Sequence, residues 1–227
     1  MLSSRRSTQG RIVIPKHDKF PPLYAIIDAA MFKDGKNGLQ QTIEFAQQLL
    51  EGGATLIQYR NKRATATEMI SHGRELRRVI GGRAVLIMND RPDLCLACGF
   101  HGVHVGQEDL SVEGARRVLG NQAVVGVSTH NLPQVLEAER TSADYIAIGP
   151  VFATATKTNP EPVVGLEMVR AARNVTRKPL VAIGGITRAN CSSVIAAGAD
   201  SIAVISELKS SPRQRVEEFL QILSSAD

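Results

Sequence analysis

The sequence predicts an α/β fold, a single closed (βα)8 TIM barrel with a short N-terminal extension. Three observations lead there. Short aliphatic runs alternate strictly with longer amphipathic stretches, eight of each. Such alternation at crossover spacing makes the strands parallel, and eight units closing on themselves make a barrel. The length of 227 residues suits one large domain better than two small ones. Apolar residues are 43 % of the chain, aromatics 4 %, and Trp is absent. The core must therefore be built from Val, Ile, Leu and Ala, which fits buried parallel strands.

The aliphatic runs are 23–28, 55–60, 84–89, 102–105, 124–128, 145–149, 180–184 and 201–206, each read as a strand. Helical periodicity falls near 39–51, 66–80, 91–98, 111–119, 131–140, 166–174, 188–197 and 213–224. Glu51-Gly-Gly-Ala and Ala197-Gly-Ala-Asp read as helix-ending glycines before strands. Asn131 and Thr187 stand where helix N-caps belong. An open doubly wound sheet is the alternative, but no G-x-G-x-x-G follows the first run.

Charge divides the chain into residues 1–20, a basic extension, and 21–227, the barrel. Arg5, Arg6, Arg11, Lys16 and Lys19 face only Asp18, so most of the net charge of +5 lies in the tail. A basic tail on a nearly neutral body does not mark a nucleic-acid binder. The first ten residues are rich in Ser and Arg, as in transit peptides, but a disordered tail has the same composition. No run is apolar and long enough to span a membrane. Cys95 and Cys98 form a C-x-x-C pair without the second pair a tetrahedral zinc site needs. They read as small apolar helix residues, and an odd cysteine count points to a reducing compartment, the cytoplasm.

In a parallel barrel, ligands sit at the carboxyl ends of the strands. Gln58, Arg60 and Lys62 end the second run, spaced by two, so they share one face if the strand persists. Charge entering an apolar run requires an anion or a carboxylate to meet it, and an anion site is the favoured reading. Asn89-Asp90 ends the third run, and Asp109 follows the fourth. Two carboxylates beside a basic cluster suit Mg²⁺, which is often held by one or two carboxylates and substrate phosphates. Ser128 ends the fifth run, Thr154, Thr156 and Lys157 follow the sixth, and Gly184-Gly185 follows the seventh. Ile205-Ser206 ends the eighth run, and in these barrels the loops after strands seven and eight often hold a phosphate. His104 alternates with Val103 and Val105 and reads as a structural histidine pointing into the barrel. No zinc-hydrolase spacing and no nucleophile elbow appear.

In this order, Gln58-Tyr-Arg-Asn-Lys62, Asn89-Asp90-Arg, Gly102-Val-His-Val-Gly-Gln-Glu-Asp109, Gly126-Val-Ser128-Thr-His, Asp144-Tyr-Ile-Ala-Ile-Gly-Pro-Val-Phe, Thr154-Ala-Thr156-Lys157 and Ala182-Ile-Gly-Gly-Ile186 resemble the thiamine-phosphate synthase family. The resemblance runs from about Leu23 to Ser206. It implies a transferase joining 4-amino-2-methyl-5-pyrimidinylmethyl diphosphate to a thiazole ethyl phosphate. Pyrophosphate leaves, and CO₂ as well when the thiazole is carboxylated. It further implies that Gln58, Arg60, Lys62, Asn89, Ser128 and Lys157 hold the pyrimidine diphosphate, with Arg60, Lys62, Ser128 and Lys157 assisting the chemistry. Asp90 and Asp109 would hold Mg²⁺, while Thr154, Thr156, Gly185, Ile205 and Ser206 would hold the thiazole phosphate. The implied partners are small phosphorylated molecules, not nucleic acid or membrane, with a homo-oligomer left open. A thiazole tautomerase-like relative and a non-catalytic regulatory relative are the rivals. A tautomerase would not need the diphosphate set of Arg60, Lys62, Asp90, Asp109 and Lys157. Tyr59 departs from the family pattern, which often has an aliphatic residue there, and its parity points outward.

Overall fold

The computed structural model describes residues 20–32, 38–154 and 161–225. Its strands are β1 (Leu23–Asp28), β2 (Leu56–Arg60), β3 (Val85–Asn89), β4 (Gly102–Val105), β5 (Val124–Thr129), β6 (Tyr145–Ile148), β7 (Leu180–Ile183) and β8 (Ser201–Val204). The intervening helices are α1 (Gly38–Glu51), α2 (Ala66–Ile80), α3 (Pro92–Cys98), α4 (Val112–Leu119), α5 (Leu132–Arg140), α6 (Gly165–Val175), α7 (Cys191–Ala196) and α8 (Pro212–Ser224). The strands pair in chain order, all parallel, and β8 closes on β1. The expected barrel is therefore the observed one.

Strand parity separates two cores. Leu23, Ala25 and Ile27 of β1 face outward and join Ile57 and Tyr59 of β2 in the layer beneath the helices. Tyr24 and Ile26 face inward and meet Leu56, Val85, Ile87, Tyr145 and Val181 inside the barrel. Tyr59 is outward and fully buried, and its hydroxyl lies 3.0 Å from His72 Nδ1. Cys95 and Cys98 are free and buried in the outer layer, and burial lifts the Cys95 thiol to about 12. Such a thiol is a packing group, not a nucleophile. No described helix is long and apolar enough to cross a membrane.

Several boundaries shift. β2 ends at Arg60, so Lys62 lies in the following loop and not on the strand face. β8 ends at Val204, and Ser206 opens a 3₁₀ turn, Ser206–Leu208. Asn131 caps α5 as expected, accepting from Gln134 N at 3.0 Å. Thr187 is not a cap, and α7 begins later than 188. Asn190 Oδ1 accepts from Thr187 N at 2.7 Å, and Asn190 Nδ2 donates to the Gly185 carbonyl. That side chain ties the loop back on itself, so the helix starts only at Cys191.

Phe20, assigned by composition to the extension, is buried at 6 % exposure and lies 5.5 Å from the Tyr145 ring centroid. Phe20→Ala is expected to cost about 2 kcal/mol in chemical denaturation, the transfer value for a buried Phe. A chain beginning at Pro21 should lose the same amount, and one beginning at Phe20 should keep it.

Candidate active site

The carboxyl ends of the strands form a mouth divided into two adjoining cavities. The first, about 750 Å³, is polar, and its lining includes Asp28, Arg60, Lys62, Asn89, Asp90 and Asp109. The second is more apolar, formed by Pro150, Thr154, Ile183, Gly185, Ile205 and Ser206 among others. Arg60, Ser128, His130 and Glu161 line both, so they form a shared wall.

In the polar cavity, Arg60 at the end of β2 and Lys62 in the loop after it each meet a carboxylate. Asp28, 2 % exposed at the end of β1, is paired in register with Arg60 and accepts a charge-assisted hydrogen bond from its guanidinium. Lys62 Nζ pairs with Asp90 Oδ2. Asp28 is thus the acid that an arginine entering an apolar run requires. Gln58 is buried, and its Nε2 donates to the Tyr24 hydroxyl at 2.8 Å. Asn89 is buried one residue ahead of Asp90.

Asp90 has φ of 63°, a left-handed backbone uncommon for a non-glycine residue. Its N–H donates to the His104 carbonyl at 2.8 Å, which holds the β3 end against β4. Asp109 Oδ2 accepts from Gly106 N at 2.7 Å. Burial first, then the facing Asp90 carboxylate, raises the Asp109 pKa above its ordinary value. Two facing carboxylates that repel one another, with Lys62 beside them, make a hard oxygen donor set suited to Mg²⁺. The described residues contain no cluster of three or more His, Cys, Asp or Glu able to hold a metal. Any cation here would take its remaining ligands from substrate phosphate and water.

Ser128 stands on the shared wall, its Oγ 2.8 Å from His104 Nε2 and its carbonyl accepting from Gln107 Nε2 at 2.6 Å. His104 Nδ1 lies 2.9 Å from the Tyr145 hydroxyl, and its ring stacks on Tyr145 at 5.5 Å and 23°. The expected inward, hydrogen-bonded histidine is what forms. His130 Nδ1–H donates to the Gly149 carbonyl at 2.6 Å.

The apolar cavity brings together Thr154, Gly185, Ile205 and Ser206. Gly185 has φ of 63°, and a Cβ there would meet the Ala153 carbonyl oxygen at 2.4 Å. A bare backbone is required where the loops after β6 and β7 touch. Thr156 and Lys157 lie outside the described residues. Sequence reasoning missed Asp28 and Glu161, which line the mouth, and Tyr24 and Tyr145, which lie beneath it. Asp28 had a readable signal, since an acid ends the first aliphatic run as a base ends the second. Glu161 had none.

These features define a class, a (βα)8 barrel whose mouth offers one charged and one apolar cavity across a common wall. Residues 23–208 match the family described as thiamine monophosphate synthase. The chain is 58 % identical over 207 residues to the thiamine-phosphate synthase of Koribacter versatilis, covering 91 % of this chain and 98 % of that protein. It is 46 % identical to the thiamine-phosphate synthase of Chloroflexus aurantiacus, covering 81 % and 83 %. The solved thiamine phosphate pyrophosphorylase of Pyrococcus furiosus superposes with a TM-score of 0.79 at 35 % identity, over 90 % of this chain and 96 % of that one. The chain belongs to the thiamine monophosphate synthase family.

Proposed function

We propose that the protein joins 4-amino-2-methyl-5-pyrimidinylmethyl diphosphate to a thiazole ethyl phosphate, giving thiamine phosphate and pyrophosphate. The observation that carries this reading is the shared wall. Arg60, Ser128 and His130 border both cavities, so ligands seated in the two would meet at their facing ends.

The polar cavity suits the diphosphate. Arg60 and Lys62 can transfer from their carboxylate partners to phosphate oxygens, offsetting charge as the carbon–oxygen bond breaks. Gln58, Asn89 and Ser128 supply directional hydrogen bonds to the pyrimidine end. Lys157 is assigned to the same group. Asp90 and Asp109 would hold Mg²⁺, which supplies electrostatic stabilisation of the departing pyrophosphate when bound. The apolar cavity suits the thiazole. Thr154, Thr156, Gly185, Ile205 and Ser206 are assigned to its phosphate, and Ile183 and Pro150 to excluding water. A departing pyrophosphate leaves a cation stabilised by the pyrimidine amino group, so no strong general base is required. Three free thiols support a cytoplasmic location for the reaction.

The test is to mix the protein with both substrates and Mg²⁺ and to assay pyrophosphate and thiamine phosphate together. Equal amounts of the two products support the proposal. Isomerised thiazole without pyrophosphate, or ligand binding without product, would overturn it. Ser206→Ala should weaken the thiazole phosphate by roughly 1–3 kcal/mol, as for a phosphate contact left unmet. Steady-state kinetics should show its KM rising while the pyrimidine KM stays in place.

A further inference from the structure

Five side chains form one hydrogen-bonded line through the barrel interior. Gln58 Nε2 donates to the Tyr24 hydroxyl at 2.8 Å, and the Tyr24 and Tyr145 hydroxyls lie 2.9 Å apart. The line continues from the Tyr145 hydroxyl to His104 Nδ1 at 2.9 Å, and from His104 Nε2 to Ser128 Oγ at 2.8 Å. Gln58, Tyr24, Tyr145 and His104 are all buried. Neither tyrosine lines either cavity of the mouth.

The line has a direction. A phenol has one hydrogen to give. Gln58 enters as a donor, so the Tyr24 oxygen accepts and its hydrogen passes to Tyr145. Were Tyr145 instead to donate to Tyr24, the Tyr24 oxygen would accept twice. Its own hydrogen would then be buried among Ile26, Leu56 and Val85 of the inner core, a costly arrangement. Tyr145 therefore donates to His104 Nδ1, and Nε2–H donates to Ser128 Oγ. Burial, the largest influence on each phenol, raises both pKa values, so each keeps its hydrogen. The Ser128 oxygen is occupied from inside, and its own hydrogen is left to point into the polar cavity.

We propose that this line is a one-way relay that fixes His104 as the Nε2–H tautomer and presents Ser128 as a hydrogen-bond donor to the ligand. Tyr24, Tyr145 and His104 are then positioning residues. The identity of the ligand, a pyrimidine diphosphate, rests on the proposed function; the polarity of the relay does not. A donor at Ser128 selects an acceptor atom, either a pyrimidine ring nitrogen or a phosphoryl oxygen.

The test has a substrate-free and a kinetic arm. Long-range ¹H–¹⁵N correlation on histidine-labelled protein reports which ring nitrogen carries hydrogen, with H104Q assigning the resonances. The expected result is a protonated Nε2 and a bare Nδ1 on His104 in the wild type, and a mixture of tautomers in Y145F. In kinetics, Y145F should lower kcat roughly tenfold, as for one lost hydrogen bond, with the thiazole phosphate KM unmoved. Y24F leaves the Tyr145-to-His104 bond intact and should cost less than about threefold. An Nδ1–H tautomer in the wild type would overturn the relay, as would equal losses in Y24F and Y145F. Should Y145F not fold, the wild-type tautomer still decides. Failure to form thiamine phosphate would refute the proposed function and leave the tautomer result standing.

Discussion

Asp90→Ala is expected to lower turnover by roughly 100- to 1,000-fold at millimolar Mg²⁺, the scale of losing one group that stabilises developing charge. Three contacts converge on this residue. Its carboxylate pairs with Lys62, it faces Asp109, and its left-handed backbone turns the β3 end toward β4. Asp90→Asn separates these contributions, because Asn tolerates the left-handed conformation but carries no charge. Should the loss come from charge, Asn will be nearly as defective as Ala while melting like the wild type. The same pair of proteins tests the cation without any turnover. At a Mg²⁺ concentration tenfold above its dissociation constant, with pyrophosphate present, linkage predicts a gain of about 1.4 kcal/mol. For a domain of this size that is roughly 3–6 °C in Tm. Pyrophosphate alone is the control, and the Mg²⁺-dependent increment should vanish in Asp90→Asn. An undiminished increment there, or full activity in EDTA, would refute the metal assignment.

Gly126→Ala is expected to be strongly destabilising, although the added group is a single methyl. A Cβ at Gly126 would lie 2.0 Å from Tyr145 Cζ and 2.4 Å from both Cε atoms. The ring cannot step aside easily. It is fully buried, stacked on His104, edge-on to Tyr24, and tied by its hydroxyl to both. Overpacking of this kind costs about 1–3 kcal/mol, and the pinned ring places this site at the upper end. Urea unfolding of G126A, Y145L and the double variant measures the coupling. The double variant should recover much of the G126A loss because the smaller leucine clears the added methyl. Additive losses would mean that the two positions do not compete for the same space.

The barrel was legible because its signals are local and repeated. An aliphatic run followed by an amphipathic stretch and a helix-ending glycine recurs down the chain, and each repeat constrains the next. Residues at strand ends were legible for the same reason, since parity and position put Arg60, Asn89 and Ser128 at the mouth, whereas Gln58 lies deeper, buried against Tyr24 and lining neither cavity. What sequence could not supply was pairing across the barrel. Arg60 asked for an anion, but that Asp28 answers it depends on β1 and β2 lying in register. The Tyr24–Tyr145 contact spans 121 residues and has no local trace. Gly126 looked like an ordinary strand glycine until the ring it accommodates was placed. Thr187 misled because cap preference is a short-range rule, and Asn190 three residues later binds the loop more fully.

Arg60 at the end of β2 and Lys62 in the loop after it already hold counter-ions, Asp28 and Asp90 respectively. On the proposed assignment, an arriving diphosphate exchanges one anion for another at these two residues and does not neutralise a bare positive surface. The described lining of the polar cavity holds five carboxylates, Asp28, Asp90, Glu108, Asp109 and Glu161, against Arg60, Lys62 and Arg63, so its own field does not draw anions in from a distance. Rising salt should accordingly not slow association, in contrast to a site built on unpaired lysines. Discrimination then rests on which anion can displace an intramolecular carboxylate, a contest that a doubly charged, multidentate phosphate chain wins over chloride or a simple carboxylic acid.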